Sequence, residues 1–439
     1  MRTLVTASAH IVTAVIGSGV LSLAWGIAQL GWVAGPAVLM AFSITTFFTS
    51  ILLADSYRAP GPMHGVRNYT YMDVVRAHLG GAKVKLCGLA QYGNLVGVTI
   101  GYTITASISM VAVKKSNCFH RHGHDHVACS ISNNPFMIIF AAIQVVLSQI
   151  PNFHKLWWLS IVAAIMSFAY STIGVGLSIA KVAVLVSRYS DIISMYLQYY
   201  NFFYKKKIKI WIVMQTFNVN FQDTLKSDPP ENKVMKKASF VGVSTTTLFY
   251  MLCSCAGYAA FGNNAPGNFL TGFGFYEPFW LIDLANICIA IHLLGAYQVF
   301  AQPVFGFVEK LCSEKWPENK FITTEHAIYI PLVGPYNINF CRLVWRTVYV
   351  IFTAVVAMIF PFFNDFLGLI GAATFYPLTV YFPIEIYIAQ AKIPKYSFKW
   401  ICLKILNCAC LLVSLVGAAG SIQGLAQDVK TYKPFQTQS

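Results

Sequence analysis

Long stretches of this sequence run for about 20 residues or more with almost no charged side chain, which is the length a helix needs to cross a bilayer. The sequence predicts membrane-spanning helices over ten ranges: 4–31, 34–55, 86–113, 135–153, 156–186, 238–262, 277–307, 341–361, 364–390 and 399–426. The fold class is therefore an all-α polytopic membrane protein, whose main partner is the lipid bilayer.

The composition agrees with this prediction and excludes other classes. Only 11% of the residues are charged and 56% are hydrophobic, whereas about a quarter of a soluble domain is charged. The net charge of +15 lies in short blocks between the apolar stretches. This distribution argues against a nucleic-acid partner, because it offers no extended basic surface.

The basic blocks indicate the orientation, since short loops rich in Lys and Arg stay on the cytoplasmic side. The blocks occupy residues 56–86, 226–237, 308–346 and 391–404. We expect these loops, and the N-terminus with Arg2, to be cytoplasmic. An eleventh crossing must then lie within 187–225, although its apolar stretches are interrupted by polar residues and by Lys205, Lys206 and Lys207. The segment 187–225 is therefore anomalous.

Two cysteines stand apart from those in the spans. Cys118 and Cys129 both fall in the predicted outer loop 114–134, on an oxidising side, where a disulfide and two free thiols are both open readings. Four alternating histidines of the same loop, His120 to His126, are ligands of the kind that metals use. They lack partner ligands at a strong spacing, so we expect a solvated loop and no metal site.

The first span carries small and polar residues at mid-membrane. Ile16 is followed by Gly17, Ser18 and Gly19, which favour a local unwinding of the helix. Unwound backbone offers amide donors and carbonyl acceptors to a substrate, and a half-helix N-terminus favours a carboxylate. Close packing of helices through small residues explains the same motif.

Ionisable residues within the spans are the other candidates. His10 lies in the first span and His292 in the seventh predicted range, and a histidine changes charge near neutral pH. The pair favours proton coupling, with neutral interhelical packing as the alternative. Asp283, Asp365 and Glu385 are further buried-acid candidates, and anchoring at helix ends is the alternative for Asp365 and Glu385.

Tyr92 and Asn94 offer polar groups in the third span that suit either a substrate cavity or core packing. The sequence contains no phosphate-binding Gly-Lys-Ser/Thr motif, no HExxH and no GxSxG. We therefore expect no enzyme activity and no cofactor. A channel is also disfavoured, because no ring of charges or filter-like repeat occurs.

Several strings in the chain resemble plant amino acid permeases, a family of the amino acid/auxin permease group. They lie at residues 6–25, 69–76, 258–270, 275–280, 320–326 and 360–371, and the likeness covers 3–183 and 221–436. The resemblance implies a single transport domain over 1–439 with eleven helices, of which helices one to five (1–186) and six to ten form inverted repeats.

The resemblance also implies an activity, which is proton-driven import of amino acids across the plasma membrane. It implies that His10 and His292 matter for coupling, and that the broken first helix holds the backbone of the substrate. Residues 184–220 do not resemble the family, so helix six is expected to be aberrant, with the remaining helices in 226–439. Two alternatives follow: a transport-inactive chain, or an amino acid sensor.

Overall fold

The computed structural model describes residues 8, 11–12, 15–59, 65–123, 129, 131–150, 157–188, 231–274, 278–330 and 334–431. Eight helices within these ranges are long and apolar enough to cross a membrane. The anomalous segment 187–225 lies almost wholly outside the described residues, so its prediction is not addressed by the fold.

A 3₁₀ helix at Ser18–Ser22 runs directly into the first long helix. The helices are α1 Leu23–Ser56, α2 Tyr71–His78, α3 Ala82–His122, α4 Asn134–Ser148, α5 Trp157–Arg188, α6 Glu231–Phe261, α7 Phe279–Lys315, α8 Phe340–Ile359, α9 Phe363–Phe375, α10 Phe382–Gln390 and α11 Phe398–Thr431. Two antiparallel pairs of short strands lie between them: β1 Arg58–Ala59 with β2 Val66–Arg67, and β3 His326–Ile330 with β4 Gly334–Ile338.

Each of the ten predicted spans overlaps a described helix. The first two predicted spans merge into α1, which bends sharply at Gly31, where φ is 82°. Only glycine adopts such an angle readily, so this residue allows the sharp bend between the two predicted spans. The predicted loop 114–134 is wrong for its first part, because α3 continues to His122 before Gly123 ends it at a φ of 86°.

The core surrounds the start of the chain. Helix α1 packs along α6, and α7 packs against both α3 and α5. Ile11, Ile16, Val20 and Leu21 are fully buried within one apolar cluster shared by these helices. The first span is therefore at the centre of the bundle, which is where a polar break has the greatest consequence.

The helix pair α9 and α10 is joined by a π-helix, Tyr376–Tyr381. A π-turn leaves the regular hydrogen-bond ladder, and here the carbonyl oxygen of Leu378 accepts a hydrogen bond of 2.8 Å from the Tyr71 hydroxyl. Tyr71 belongs to the amphipathic helix α2, whose Tyr71, Val74 and Val75 are buried. Helix α2 is thus packed against the bundle.

The two ends of the bundle differ in chemistry. At the disulfide end, Cys118 and Cys129 are joined by a disulfide with Cα atoms 5.7 Å apart. At the arginine end, Arg346 is only 3% exposed and its Nε atom lies 2.7 Å from a Glu309 carboxylate oxygen. Helix α7 runs between these ends, since His120 of α3 stacks on Phe279 at its start and Glu309 lies near its last turn.

Candidate substrate site

The first span is unwound in the middle. The amide of Ile16 donates to the Val12 carbonyl at 2.7 Å, which is a helical bond, but Gly17 is extended with φ −108° and ψ −152°. The 3₁₀ helix Ser18–Ser22 follows, and its N-cap residue, Gly17, has no side chain to cap it. The first amides of a helix have no intrahelical partner, so those at the start of this one remain available to an anion.

Tyrosine hydroxyls from two other helices hold the carbonyl groups that the unwinding frees. The Tyr170 hydroxyl of α5 donates to the carbonyl oxygens of Ile16 at 3.2 Å and Gly17 at 3.0 Å. The Tyr250 hydroxyl of α6 donates to the carbonyl oxygen of Val15. Both tyrosines are buried. Because buried carbonyls need partners, these two side chains stabilise the broken conformation.

A third tyrosine limits the space beside the break. A Cβ atom placed on Gly17 would lie 3.1 Å from the Tyr102 hydroxyl oxygen of α3. The ring of Tyr102 meets Phe300 of α7 edge-on, with ring centroids 5.5 Å apart, so it has little freedom to retreat. The absence of a side chain at Gly17 therefore lets the α3 hydroxyl approach the unwound backbone.

We expect Gly17→Ala to reduce amino acid uptake and Gly17→Val to reduce it further. The backbone angles of Gly17 suit any residue, so the effect comes from the contact with Tyr102, and overpacking of this kind costs about 1–3 kcal/mol. Uptake of a labelled amino acid per transporter at the membrane measures it. Gly93→Ala in α3 is the matched control, because its Cβ would meet nothing within 4 Å. Equal losses in Gly17 and Gly93 variants would contradict the steric explanation.

His292 is fully buried in the middle of α7 and faces α5. Its Nδ1 atom lies 2.9 Å from the Ala163 carbonyl oxygen and 2.9 Å from the Ser167 hydroxyl oxygen. A carbonyl only accepts hydrogen bonds, so the contact with Ala163 assigns the hydrogen of the neutral ring to Nδ1. The Nε2 atom is then an acceptor, and it has no partner among the described residues.

His292 and the broken helix are connected through one face of α5. Ser167, which contacts the imidazole, lies one helical turn before Tyr170, which binds the carbonyls of Ile16 and Gly17. The Tyr170 and His292 rings also meet edge-on, with centroids 5.8 Å apart. A change of charge on the imidazole therefore acts within two contacts of the unwound backbone.

The other predicted substrate residues have different neighbours. Tyr92 stacks on Phe307 with ring centroids 4.2 Å apart, and the Asn94 amide oxygen accepts from the Thr374 hydroxyl at 3.1 Å. Along α3, Asn94 lies about 12 Å from Tyr102, at 1.5 Å per residue. The structure thus brings Tyr102, and neither Tyr92 nor Asn94, to the break. Their substrate role stays a prediction.

Part of the predicted site is outside the described residues, including His10 and the side chain of Ser18. Ile16 is fully buried, and the Gly19 carbonyl oxygen accepts from the Ser22 hydroxyl at 3.0 Å. Ser8, two residues before His10, is buried, and its hydroxyl has no partner among the described residues. At Ser8, therefore, the first span is polar as well as buried.

The acidic candidates have separate environments. Glu385 of α10 forms an ion pair of 2.5 Å with Lys404 of α11, which fits the anchoring alternative. Asp365 packs against Gly424 of α11. Asp283 of α7 is 9% exposed and pairs with the Asn117 amide of α3. Within the described ranges, no group of three or more His, Cys, Asp or Glu residues is placed to hold a metal ion.

Comparisons with known proteins identify the family. The sequence model of the protein family described as "Transmembrane amino acid transporter protein" matches residues 2–427. The chain belongs to this family. Amino acid permease 6 of Arabidopsis thaliana is 67% identical over 99% of this chain and 92% of its own length. Amino acid permease 1 of the same plant is 64% identical over 99% and 91%. The predicted resemblance to plant amino acid permeases is confirmed.

Solved structures show the same fold at low sequence identity. The crystal structure of MhsT in complex with L-phenylalanine has a TM-score of 0.55 and 10% identity, covering 94% of this chain and 98% of that one. An Eremococcus coleocola manganese transporter also reaches 0.55, at 10% identity, covering 98% and 90%. The inverted-repeat transporter fold is therefore confirmed. This member of the family is a multi-pass membrane protein that transports amino acids.

Proposed function

We propose that this transporter is a proton-coupled symporter that imports amino acids across the plasma membrane by alternating access. The observation that carries the proposal is a chain of two contacts: the His292 ring meets the Tyr170 ring edge-on, and the Tyr170 hydroxyl donates to the unwound backbone at Ile16 and Gly17. It places an ionisable imidazole beside the backbone polar groups that suit an amino acid.

The substrate would bind through its backbone ends. Its carboxylate meets the amides at the start of the 3₁₀ helix, near Ser18 and Gly19, where the helix dipole favours an anion. Its ammonium group meets the carbonyls of Val15 and Ile16. Each carbonyl oxygen has two lone pairs, and the tyrosine hydroxyl that it accepts from uses one of them. The amino acid and the protons are the only ligands in this scheme, without a cofactor.

Proton binding supplies the conformational bias. The proton adds to Nε2 of His292, the nitrogen with no partner among the described residues, and turns it from an acceptor into a donor. A buried imidazolium needs an acceptor, so protonation favours a conformation that provides one. Because Tyr170 touches both the imidazole and the break, that rearrangement changes the substrate backbone site. His10 is the second candidate for this role.

The proposed orientation puts the N-terminus and the arginine end in the cytoplasm and the disulfide end outside. The bonded pair Cys118 and Cys129 supports it, since disulfides persist on the oxidising side of a surface membrane. The basic residues of the loops beyond Lys315 and Gln390 support the same direction.

Reconstitution tests the proposal. Purified chain in liposomes should accumulate a labelled neutral amino acid when the outside is acidic, with amino-acid-dependent proton entry, and an ionophore that collapses the gradient should abolish accumulation. Equal flux with and without the gradient would contradict proton coupling. Binding without flux would instead favour the sensor.

A chimera addresses the inactive alternative. Residues 184–220 are replaced by the corresponding segment of amino acid permease 6, the 67% identical relative. If the chimera transports and the present chain does not, the anomalous segment is responsible, and the mechanism is then tested in the chimera. If the chimera and the present chain transport equally, residues 184–220 serve as the sixth membrane helix of the family.

A further inference from the structure

A second polar site lies between α3 and α7, near the disulfide end. Some of its buried oxygen atoms have no hydrogen-bond partner among the described residues. Asp283 is 9% exposed, and its Oδ2 atom accepts one hydrogen bond of 3.0 Å from the Asn117 amide. Its other oxygen, Oδ1, is buried without a partner in the described part of the chain. One amide is weak compensation for a buried carboxylate, which usually has a cation or several donors.

Two further polar groups lie beside Asp283. Asn286 follows Asp283 by one turn of α7, so their side chains share a face of the helix. The Asn286 amide nitrogen donates to the Ile282 carbonyl at 2.9 Å, which fixes the orientation of the amide and leaves its Oδ1 without a partner among the described residues. The fully buried Ser116 hydroxyl of α3, next to Asn117 in sequence, is the other donor close to the Asp283 carboxylate.

We propose that Asp283 is an extracellular proton-binding site of this transporter, an inference that rests on the proposed proton coupling and orientation. Ionised, Asp283 has its unpaired Oδ1 on the same face of α7 as the unpaired Oδ1 of Asn286 within the described part of the chain. A proton taken from external water forms an O–H bond on Asp283 Oδ1 and neutralises the carboxylate. The new donor then has Asn286 Oδ1 as an unpaired acceptor one turn away. Protonation thus removes a buried charge and satisfies two acceptors at once.

Asp283 has several cationic residues in the neighbouring elements. The titratable groups near this end of the described bundle are Lys114, Lys115, His120, Arg121 and His122 of α3, Lys181 of α5 and Cys288 of α7. Lys114 lies over the Phe136 ring at 5.8 Å, Lys181 lies over Phe261 at 3.9 Å, and His120 stacks on Phe279. None of these cations forms an ion pair with Asp283 within the described residues. Glu277 lies outside them.

Asp283→Asn tests the site, because asparagine mimics the protonated acid and does not titrate. In the wild-type protein the KM for the amino acid should rise with external pH, by up to about tenfold per pH unit where proton binding is obligatory. In Asp283→Asn the KM should stay nearly constant between pH 5.5 and 8. Ser109→Ala, which removes another buried unpaired hydroxyl of α3, is the matched control and should keep the wild-type profile.

A measurement that does not need transport accompanies this one. The thermal unfolding midpoint of the wild-type protein in detergent should fall as pH rises from 5.5 to 8, since a poorly compensated charge forms in the bundle. The unfolding midpoint of Asp283→Asn should not fall over this pH range, and the variant should be at least as stable as the wild type at pH 8. A variant that keeps the wild-type pH dependence of both KM and midpoint would overturn the inference.

The outcomes separate this inference from the proposed function. Proton-driven uptake by a variant with an unchanged pH profile overturns the role of Asp283 and leaves the symporter proposal standing. Wild-type uptake that does not depend on the proton gradient overturns the symporter proposal. The unfolding measurement then still tests proton binding at Asp283. Replacing sodium by choline at fixed pH tests the other cation. Sodium stimulation that Asp283→Asn abolishes would show a metal-cation site instead.

Discussion

His292→Asn should abolish the coupling of uptake to the proton gradient while leaving the protein folded. The asparagine amide can replace the Nδ1 hydrogen bond to the Ala163 carbonyl, but it cannot take the proton that Nε2 takes. One proton moving through 100 mV contributes about 2.3 kcal/mol, which corresponds to roughly a 50-fold accumulation ratio. We expect the variant to lose that factor when accumulation in liposomes is measured at a fixed potential.

A matched variant distinguishes titration from packing. Ser167→Ala removes the hydroxyl that contacts the same Nδ1 atom, yet it leaves the imidazole and its bond to Ala163 in place. It should therefore retain proton-driven accumulation, with a modest change in its pH profile. If His292→Asn still accumulates substrate to the wild-type ratio, His292 serves only as a packing residue and the coupling proton binds elsewhere.

Among the variants described above, Arg346→Ala should cause the largest loss of folding stability. The guanidinium is 3% exposed, pairs with Glu309 at 2.7 Å, and donates to the Ser148 carbonyl at 2.6 Å and the Ile150 carbonyl at 3.2 Å. Its removal leaves a half-buried carboxylate and two carbonyls without that donor, and breaking a buried pair in this way costs about 3 kcal/mol. Unfolding in detergent, followed by tryptophan fluorescence, measures the loss.

Arg342 provides the control for that prediction. It lies one turn before Arg346 on α8 and reaches the same Glu309 carboxylate at 3.5 Å, but it is 24% exposed. Exposed pairs contribute about 1 kcal/mol or less, so Arg342→Ala should shift the unfolding midpoint much less. Similar shifts for the two alanine variants would mean that the buried position of Arg346 adds nothing to the strength of its contacts.

Much of the fold could be predicted from the sequence because its determinants are local. Runs of apolar residues define the spans, and the small residues Gly17 and Gly19 weaken a helix wherever they occur. The break was therefore visible before any tertiary contact was known. The end of α3 could not be predicted in the same way, because Lys114 and His122 are polar enough to suggest a loop. Their helix is continued by backbone hydrogen bonds that composition does not reveal.

The partners of the site were not predictable for the opposite reason. Tyr170 and Tyr250 look like ordinary aromatic residues of apolar spans, and only the packing of α5 and α6 directs their hydroxyls to the break. The signal available in the sequence was the phenolic oxygen itself, which must find a partner when buried. Tyr92 and Asn94 carry polar groups that suit a substrate cavity, but the rotation of α3 gives them Phe307 and Thr374 as neighbours.

The π-helix Tyr376–Tyr381 constrains how this transporter tolerates insertions and deletions. A π-turn is equivalent to one residue added to an α-helix, and each residue turns the chain by about 100°. Removing one residue there would restore the α-helical ladder with little rotation, whereas an α-helix through all 6 residues would turn Glu385 by about 100°, away from Lys404. The number of residues in this segment, more than their identity, aligns α10 with α11.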